Sequence, residues 1–360
     1  MPDRVLTEAA LLFDGRRLTQ ARHLRGKLKS EIAATVDVSP AAIGQFERGT
    51  VRPRPATLAK IALTLGLAPG FFARPLTCEI PEDEAHFRRL RGTSKRDRDE
   101  ARARVEILAD FVEALERRVQ LPQPQVPMLE SGVTPEEAAD ATRRAWGLGD
   151  GPIGNVVGLL ERKGVIVARL EVSSDDVDAF SCWVGGRPYV LLTSNKNAPD
   201  RSRFDAAHEL GHLVLHQDAQ PGNASAEQEA HRFAAEFLMP AAVIRAELPT
   251  RLNWRRYLEL KLRWGTSLAA LVRRAKDVRV ISDSACQRAM IELGRRGWRR
   301  EEPGVLLAPE TPELIGRALT LLEQERRIVL EDFAAELQLP VGDLRALGAL
   351  DRGQRLSVAL

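Results

Sequence analysis

Cysteine is scarce in this sequence, and long apolar runs are missing. Cys78, Cys182 and Cys286 lie about a hundred residues apart, so no pair has the spacing of a redox or metal-thiolate motif. No stretch approaches the roughly 20 apolar residues of a membrane helix, and the N-terminus lacks the basic start and apolar core of a signal peptide. These absences predict a soluble cytoplasmic protein with no membrane partner.

Neither sign of charge dominates the chain. It has 53 basic and 50 acidic residues, a net charge of +3 and a pI near 8.9. This balance permits nucleic-acid binding without requiring it, so local patches matter more than the total. A chain of 360 residues that is 44% hydrophobic can bury more than one core, which predicts a multidomain protein.

Two helical regions are expected first. Residues 11–75 show an all-α pattern with short turns. Residues 76–125 contain a basic connector, which includes Arg88 to Arg98, and then a long amphipathic helix. Closely spaced prolines after Leu121 end that helix and mark a domain boundary.

Residues 126–250 have the pattern of an α+β domain, and residues 251–360 return to helix. Thr134 and Glu137 form a capping box around Pro135, which predicts the start of a helix. The remaining elements expected in this domain are a helix at 153–163, strands at 165–170, 179–184 and 189–193, and helices at 201–217 and 224–237. In the C-terminal region we expect helix at 254–276 and a helical pair within 312–347, which we assign to structure or partner binding.

The motif with the clearest chemistry is HELGH at residues 208–212. Histidines four residues apart project from one helix face, so His208 and His212 can bind one divalent metal ion, preferably Zn²⁺. Glu209 would then activate a water molecule for attack on a carbonyl. The alternative is a solvated helix face. Apolar neighbours such as Leu210 and Val214 oppose it, because buried polar side chains need partners.

A third metal ligand must come from elsewhere. His216 lies roughly 12 Å along the helix from His208, too far for one ion to contact both. We choose Glu227, because a turn at residues 221–223 can return the chain antiparallel. Glu229 and His231 are rivals, and His231 could instead orient a ligand through a hydrogen bond.

These residues resemble a known family. HELGH, then ExxxH at 227–231 and FAAEFLMP at 233–240, closely resemble the ImmA/IrrE metallo-endopeptidases, and the most specific match is RSRFDAAHELGHLVLH. The resemblance implies a zincin-like fold, zinc held by His208, His212 and Glu227, and Glu209 as catalytic base. His231 stands where the family often has Asn.

The same resemblance bears on the substrate. Known members cleave helix-turn-helix repressors and thereby switch on stress or mobile-element genes. It therefore implies a repressor or antitoxin-like protein as substrate. We also expect an extended substrate to add as a strand beside residues 189–193.

Residues 18–72 resemble an Xre-type helix-turn-helix domain, which implies operator DNA as a partner. The first helix matches at 28–33, the turn at 36–39, and the second helix from Ile43 to Gly49. Gln45 is expected to read bases, and arginines beyond it to contact phosphates. The predicted DNA-binding residues are Ser39, Ala41, Gly44, Gln45, Arg48, Arg52 and Arg54. Because so few side chains could read bases, we expect a homodimer that binds two half-sites. The alternative to DNA binding is that this helical bundle binds a protein.

Together these patterns predict a cytoplasmic transcriptional or stress regulator with zinc-dependent endopeptidase activity. The first alternative is a DNA-binding regulator whose metallopeptidase-like domain senses a ligand or partner without proteolysis. Gene control that survives Glu209→Gln would favour it. The second alternative is the antitoxin of a toxin pair, for which a neighbouring toxin gene would be the sign.

Overall fold

The computed structural model describes residues 2–78, 80, 94–130, 132–170, 179–193, 199–216, 224–299, 301–304 and 310–347. The described residues form two compact units: unit 1 draws on those within 1–121, on Leu170 and on those within 313–360, and unit 2 on those within 122–169 and 178–312. Residues 81–93, which carry most of the basic connector, and the turn at 221–223 lie outside the described residues, whereas Lys95, Arg96 and Arg98 of the connector belong to a helix. The predicted domain boundaries at 75, 125 and 250 stay predictions.

Unit 1 begins with helices joined by short turns. They are α1 (Pro2–Leu11), α2 (Gly15–Leu24), α3 (Lys29–Val36), α4 (Pro40–Glu47), α5 (Pro55–Leu65) and a 3₁₀ helix (Pro69–Ala73). Asp37 adopts a left-handed conformation with φ 60° and ends α3. The hydroxyl of Ser39 accepts a hydrogen bond from the Ala42 amide at 3.1 Å, so it caps α4 as predicted. Helices α3 and α4 form the expected helix-turn-helix pair.

A long helix and three later helices complete unit 1. They are α6 (Lys95–Glu116), α15 (Leu314–Arg326), α16 (Leu330–Leu337) and α17 (Val341–Arg345). Phe333 of α16 packs edge to face against Phe111 of α6, with ring centroids 5.4 Å apart. Arg25 at the end of α2 donates two hydrogen bonds to Asp343 of α17, at 2.9 and 2.6 Å. Residues 329–347 therefore pack within unit 1.

Buried polar side chains connect α2 to α6 through an ion pair and hydrogen bonds. Arg17 is fully buried and pairs with Asp110 at 2.5 Å. The Gln20 amide donates to Glu106 at 3.1 Å. Because each buried charge has a partner, this contact fixes the position of α2 without leaving an unpaired ion.

Unit 2 contains a small sheet covered by helices. Its elements are α7 (Pro135–Ala145), α8 (Val156–Arg162), β1 (Ile166–Leu170), β2 (Ala179–Val184), β3 (Arg187–Thr193), α9 (Pro199–Leu215), α10 (Ala224–Leu238), α11 (Ala241–Glu247), α12 (Trp254–Trp264), α13 (Leu268–Asp277) and α14 (Asp283–Arg295). The capping box at Thr134 is confirmed: its amide donates to the Glu137 carboxylate at 2.9 Å, and its hydroxyl accepts from the Glu137 amide at 3.3 Å. None of the described helices has the length and apolar character needed to cross a membrane.

The strand order corrects one prediction. Strands lie in the order β1-β3-β2, and β2 pairs antiparallel with β3 through a turn at Gly185 and Gly186, both with positive φ. Since β3 already has a neighbour on each side, a peptide cannot add as a strand at residues 189–193. That prediction is wrong. Within the described sheet, the outer strands are β1 and β2.

The predicted fold class is confirmed, although the structure differs in several elements, and helices α1 and α11 were not predicted. The helical segment expected at 254–276 is two helices, because Gly265 adopts φ 63° and ends α12. Helix α14 was not predicted. Its buried residues, Cys286, Ala289 and Leu293, include a small and a weakly apolar side chain, so its periodic pattern is faint.

Candidate metal centre

Helix α9 brings the two motif histidines together. His208 and His212 are each 5% exposed, and their Nε2 atoms lie 3.1 Å apart. The helix packs against β2, β3 and α10, so its motif face is enclosed. The solvated alternative therefore does not describe this helix.

Helix α10 supplies the third group. The Glu227 carboxylate lies 3.4 Å from Nε2 of His208 and 3.5 Å from Nε2 of His212. Gly211 permits this approach, because a Cβ there would lie 3.2 Å from the Cα of Ala230 on α10. The glycine in HELGH thus serves the packing of the two helices that carry the three groups.

The distances fit one zinc ion. Ligand atoms bound to tetrahedral zinc at about 2.0–2.1 Å lie about 3.3 Å from one another. The three observed separations are 3.1, 3.4 and 3.5 Å. Two imidazoles and a carboxylate are also the donor set of catalytic zinc sites. His208, His212 and Glu227 can therefore hold zinc with little rearrangement.

A chain of hydrogen bonds supports His212 from behind. Its Nδ1 lies 3.1 Å from Nδ1 of His216, and Nε2 of His216 lies 3.0 Å from the Glu229 carboxylate. A hydrogen bond from Ser225, followed by the one from His216, lowers the pKa of Glu229. Because this carboxylate only accepts, Nε2–H of His216 donates to it, and Nδ1 of His216 can then accept from Nδ1–H of His212. That tautomer leaves the lone pair of His212 Nε2 facing His208 and Glu227.

The motif glutamate is held separately from the three grouped side chains. Glu209 is 1% exposed, and Ser181 of β2 donates a hydrogen bond to its Oε2 at 2.8 Å. A buried carboxylate needs such a partner. The bond fixes the rotamer of Glu209 from the sheet side.

The helix-turn-helix surface shows where the predicted DNA contacts lie. Ala41, Gln45, Arg48, Arg52 and Arg54 are exposed, and so is the capping residue Ser39. Gly44 is buried instead, and a Cβ built on it would lie 3.3 Å from Nη1 of Arg48. The structure therefore presents every predicted residue except Gly44 to solvent.

Comparison with known families agrees with both regions. Residues 160–276 match a peptidase family model described as the IrrE N-terminal-like domain, and residues 18–72 match a helix-turn-helix model. The predicted family resemblance is confirmed. No curated protein matches the chain. The chain thus combines a helix-turn-helix domain with a domain of a metallopeptidase-like family, which we call the IrrE-like domain.

The rival ligands of the IrrE-like domain lie apart from the three grouped side chains. Among the described residues, the one cluster able to hold a metal is His208, His212 and Glu227. The Glu229 carboxylate contacts His216 and Ser225. The exposed His231 ring packs on Phe204, with centroids 4.7 Å apart, and lies 6.1 Å from the ring of His208.

Sequence reasoning missed two supports of the IrrE-like site. His216 repeats the four-residue spacing of the motif, so a role in supporting His212 could have been found. Ser181 lies 28 positions before Glu209 on a strand, and no local pattern marks it.

Proposed function

We propose that this chain is a cytoplasmic transcriptional regulator in the stress response whose IrrE-like domain is a zinc-dependent endopeptidase. Its substrate would be a helix-turn-helix repressor or an antitoxin-like protein. One observation carries the enzymatic part: three zinc-type donors converge beside the buried Glu209, which Ser181 orients. The substrate class rests on the family resemblance.

The roles follow from the chemistry of each side chain. His208, His212 and Glu227 would hold zinc. When bound, zinc supplies a Lewis acid that polarises a peptide carbonyl and lowers the pKa of water. Glu209 would accept a proton from the attacking water and deliver it to the amine of the departing peptide. Ser181 keeps the Glu209 carboxylate in one orientation.

The arrangement also suits a large substrate. The two histidine side chains are 6% exposed, whereas the Glu227 side chain is 42% exposed. The three donors are therefore accessible from the α10 side. A peptide reaching them would pass over residues of α9 and α10.

The helix-turn-helix domain would bind operator DNA as a homodimer. Gln45 is the exposed predicted residue with an amide that can read a base edge, while the exposed arginines suit phosphates. Since each helix-turn-helix domain offers one side-chain amide to read a base, specific binding would need two half-sites. The chain's own helix-turn-helix domain also makes a second copy of this protein a substrate to test.

The first test measures zinc per chain in the wild type and in Glu227→Ala. The matched control is Gln228→Ala, at the neighbouring exposed position on α10. We expect one zinc per wild-type and control chain and a strong loss in Glu227→Ala. A wild type that binds no zinc overturns the proposal.

The second test measures cleavage by Glu209→Gln. Helix-turn-helix repressors encoded near this gene, and the chain itself, are the substrates. We expect the wild type to cleave at least one of them, and Glu209→Gln to retain zinc but cut none. If Glu209→Gln still controls its genes like the wild type, the non-proteolytic sensor is favoured.

A further inference from the structure

A pocket of about 400 Å³ lies beside the metal centre within unit 2. Helices α9 and α13 form much of its wall, and residues from α10, from α14 and from the segment after α14 complete it. We call it the arginine pocket and define it by Arg201, Phe204, His231, Arg273, Met290 and Arg299. Its volume falls within the range of roughly 300–1,000 Å³ that is usual for ligand pockets.

The arginine pocket continues the face of α9 that carries the motif. Arg201, Phe204 and His208 are spaced three and four residues apart, so they share one side of the helix. Arg201 and His208 are separated by roughly 10 Å along the axis. The His231 ring connects the two places, since it packs on Phe204 and lies 6.1 Å from the His208 ring.

The separation of roughly 10 Å between Arg201 and His208 can be covered by an extended peptide bound along α9. An extended chain advances about 3.3–3.6 Å per residue. A side chain about three residues from the cleaved bond would therefore reach the pocket.

The charge of the pocket is set by guanidinium groups. Within the part of the chain that the structure describes, no ion pair to a carboxylate is found for Arg201, Arg273 or Arg299. Arg201 donates to the Arg299 carbonyl at 2.5 Å, and Arg299 donates to the Met290 carbonyl at 3.0 Å. These bonds hold two of the guanidinium groups in place without neutralising them.

The acidic side chains of the pocket do not cancel this charge. Glu302 already accepts from Lys261 at 2.6 Å and from the Leu268 amide at 2.9 Å. Asp205 is the other carboxylate in the lining. Among the described lining residues, three arginines therefore stand against two carboxylates, and one of these, Glu302, is already bound by Lys261.

Apolar side chains make up the remaining wall. Phe204, Ala269, Ala270 and Met290 line the pocket together with the arginines. A ligand that fits both parts has an apolar stem and an anionic head. Glutamate and aspartate side chains have this form, and guanidinium groups bind carboxylates through paired hydrogen bonds.

We propose that the arginine pocket binds an acidic side chain of the peptide substrate, about three residues from the cleaved bond. This inference rests on the proposed endopeptidase function and adds its sequence preference. The pocket thus selects the substrate by charge before the metal centre acts on it.

The test uses the full chain carrying Glu209→Gln, with and without added zinc. The protein is immobilised and exposed to a pool of random seven-residue peptides with blocked ends, and the retained peptides are sequenced. We expect acidic residues to be enriched at one position. A readout of binding avoids dependence on catalysis.

Substitutions then assign the preference to the pocket. In the same background, Arg273→Gln should reduce retention of acidic peptides about tenfold, because a charge-assisted hydrogen bond is lost. Arg273→Glu should shift the preference towards Lys and Arg. The matched control is Arg288→Gln, an exposed arginine on α14 that does not line the pocket. Arg201→Gln provides a second variant from another helix.

The outcomes separate this inference from the proposed function. If peptides are retained without acidic preference, if none is retained, or if Arg273→Gln and Arg201→Gln keep the preference, the pocket assignment is overturned. If acidic peptides bind through Arg273 but the wild type cleaves none of them, the pocket assignment holds and the peptidase proposal fails. If free glutarate binds and no peptide does, the pocket takes a small carboxylate and the assignment is overturned.

Discussion

Nδ1 of His212 lies 3.1 Å from Nδ1 of His216, so the third histidine of this helix supports the second from behind. His216 is too far from His208 to share its ion, and it meets Glu229 at 3.0 Å instead. The contact determines which nitrogen of His212 carries the proton. His216, which is not one of the three proposed metal ligands, therefore helps to orient His212, which is one.

Replacing His216 should weaken zinc binding. Loss of a hydrogen-bond partner of a metal-bound histidine typically costs about tenfold to a hundredfold in affinity. We expect His216→Ala to lose zinc to a chelator at a correspondingly lower chelator concentration than the wild type, and Gln228→Ala to behave as the wild type. An unchanged zinc affinity in His216→Ala would show that the contact has no role in preparing His212.

Replacing Ser181 should slow catalysis without removing the metal. Ser181→Ala deletes the hydrogen bond that orients Glu209, so we expect kcat for peptide cleavage to fall about tenfold while zinc content stays constant. Ser202→Ala is the control, because Ser202 is another buried serine, on α9, whose hydroxyl accepts from Arg169. Equal losses of kcat in the two variants would contradict a specific role for Ser181.

The exposed arginines after α4 should determine the salt dependence of DNA binding. Each phosphate contact contributes about 0.9 to the slope of log K against log salt concentration. We expect Arg48→Gln, Arg52→Gln and Arg54→Gln each to reduce the slope by about that amount on a random duplex, measured by fluorescence anisotropy. Arg4→Gln, at an exposed position of α1, should leave it unchanged. If the slope is unchanged in all three arginine variants, a domain that binds protein instead of DNA is favoured.

His23 should make unit 1 less stable in acid. Burial, with help from the charges of Arg22 and Arg102, lowers the pKa of His23 to about 3, from its ordinary value of 6.5. As the pH falls from 6.5 towards 3, the unfolded chain binds a proton that the folded chain excludes, so stability decreases by up to about 1.4 kcal/mol per pH unit. Above pH 6.5 the contribution is complete.

The measurement for His23 is urea unfolding between pH 7.5 and 4. His23→Gln keeps a neutral polar side chain and should flatten the pH dependence only below pH 6.5. If the wild type and His23→Gln show the same slope there, protonation of another group causes the loss of stability.

Local patterns could be predicted from the sequence because they depend on neighbours within one helix or turn. His208 and His212 share a face through helix periodicity alone, and Ser39 and Thr134 act as caps through contacts three residues away. Glu227 required one further step, a return of the chain after α9.

Features that depend on distant packing could not be predicted. The position of β3 between β1 and β2 is a property of the assembled sheet, and the length and composition of each strand are the same in any order. Ser181 meets Glu209 only because β2 lies against α9. Gly44 is likewise covered in part from another helix, since Nζ of Lys29 would lie 3.8 Å from a Cβ built on it.

The hydrogen bonds between Arg25 and Asp343 join positions 318 residues apart. Because translation proceeds from the N-terminus, α2 and α6 leave the ribosome long before α16 and α17 are available to pack on them. Contacts between such distant positions are slow to form, and apolar surface that waits for its partner is prone to aggregate. The helix-turn-helix domain would therefore reach its final packing only after the whole peptidase-like domain has been translated.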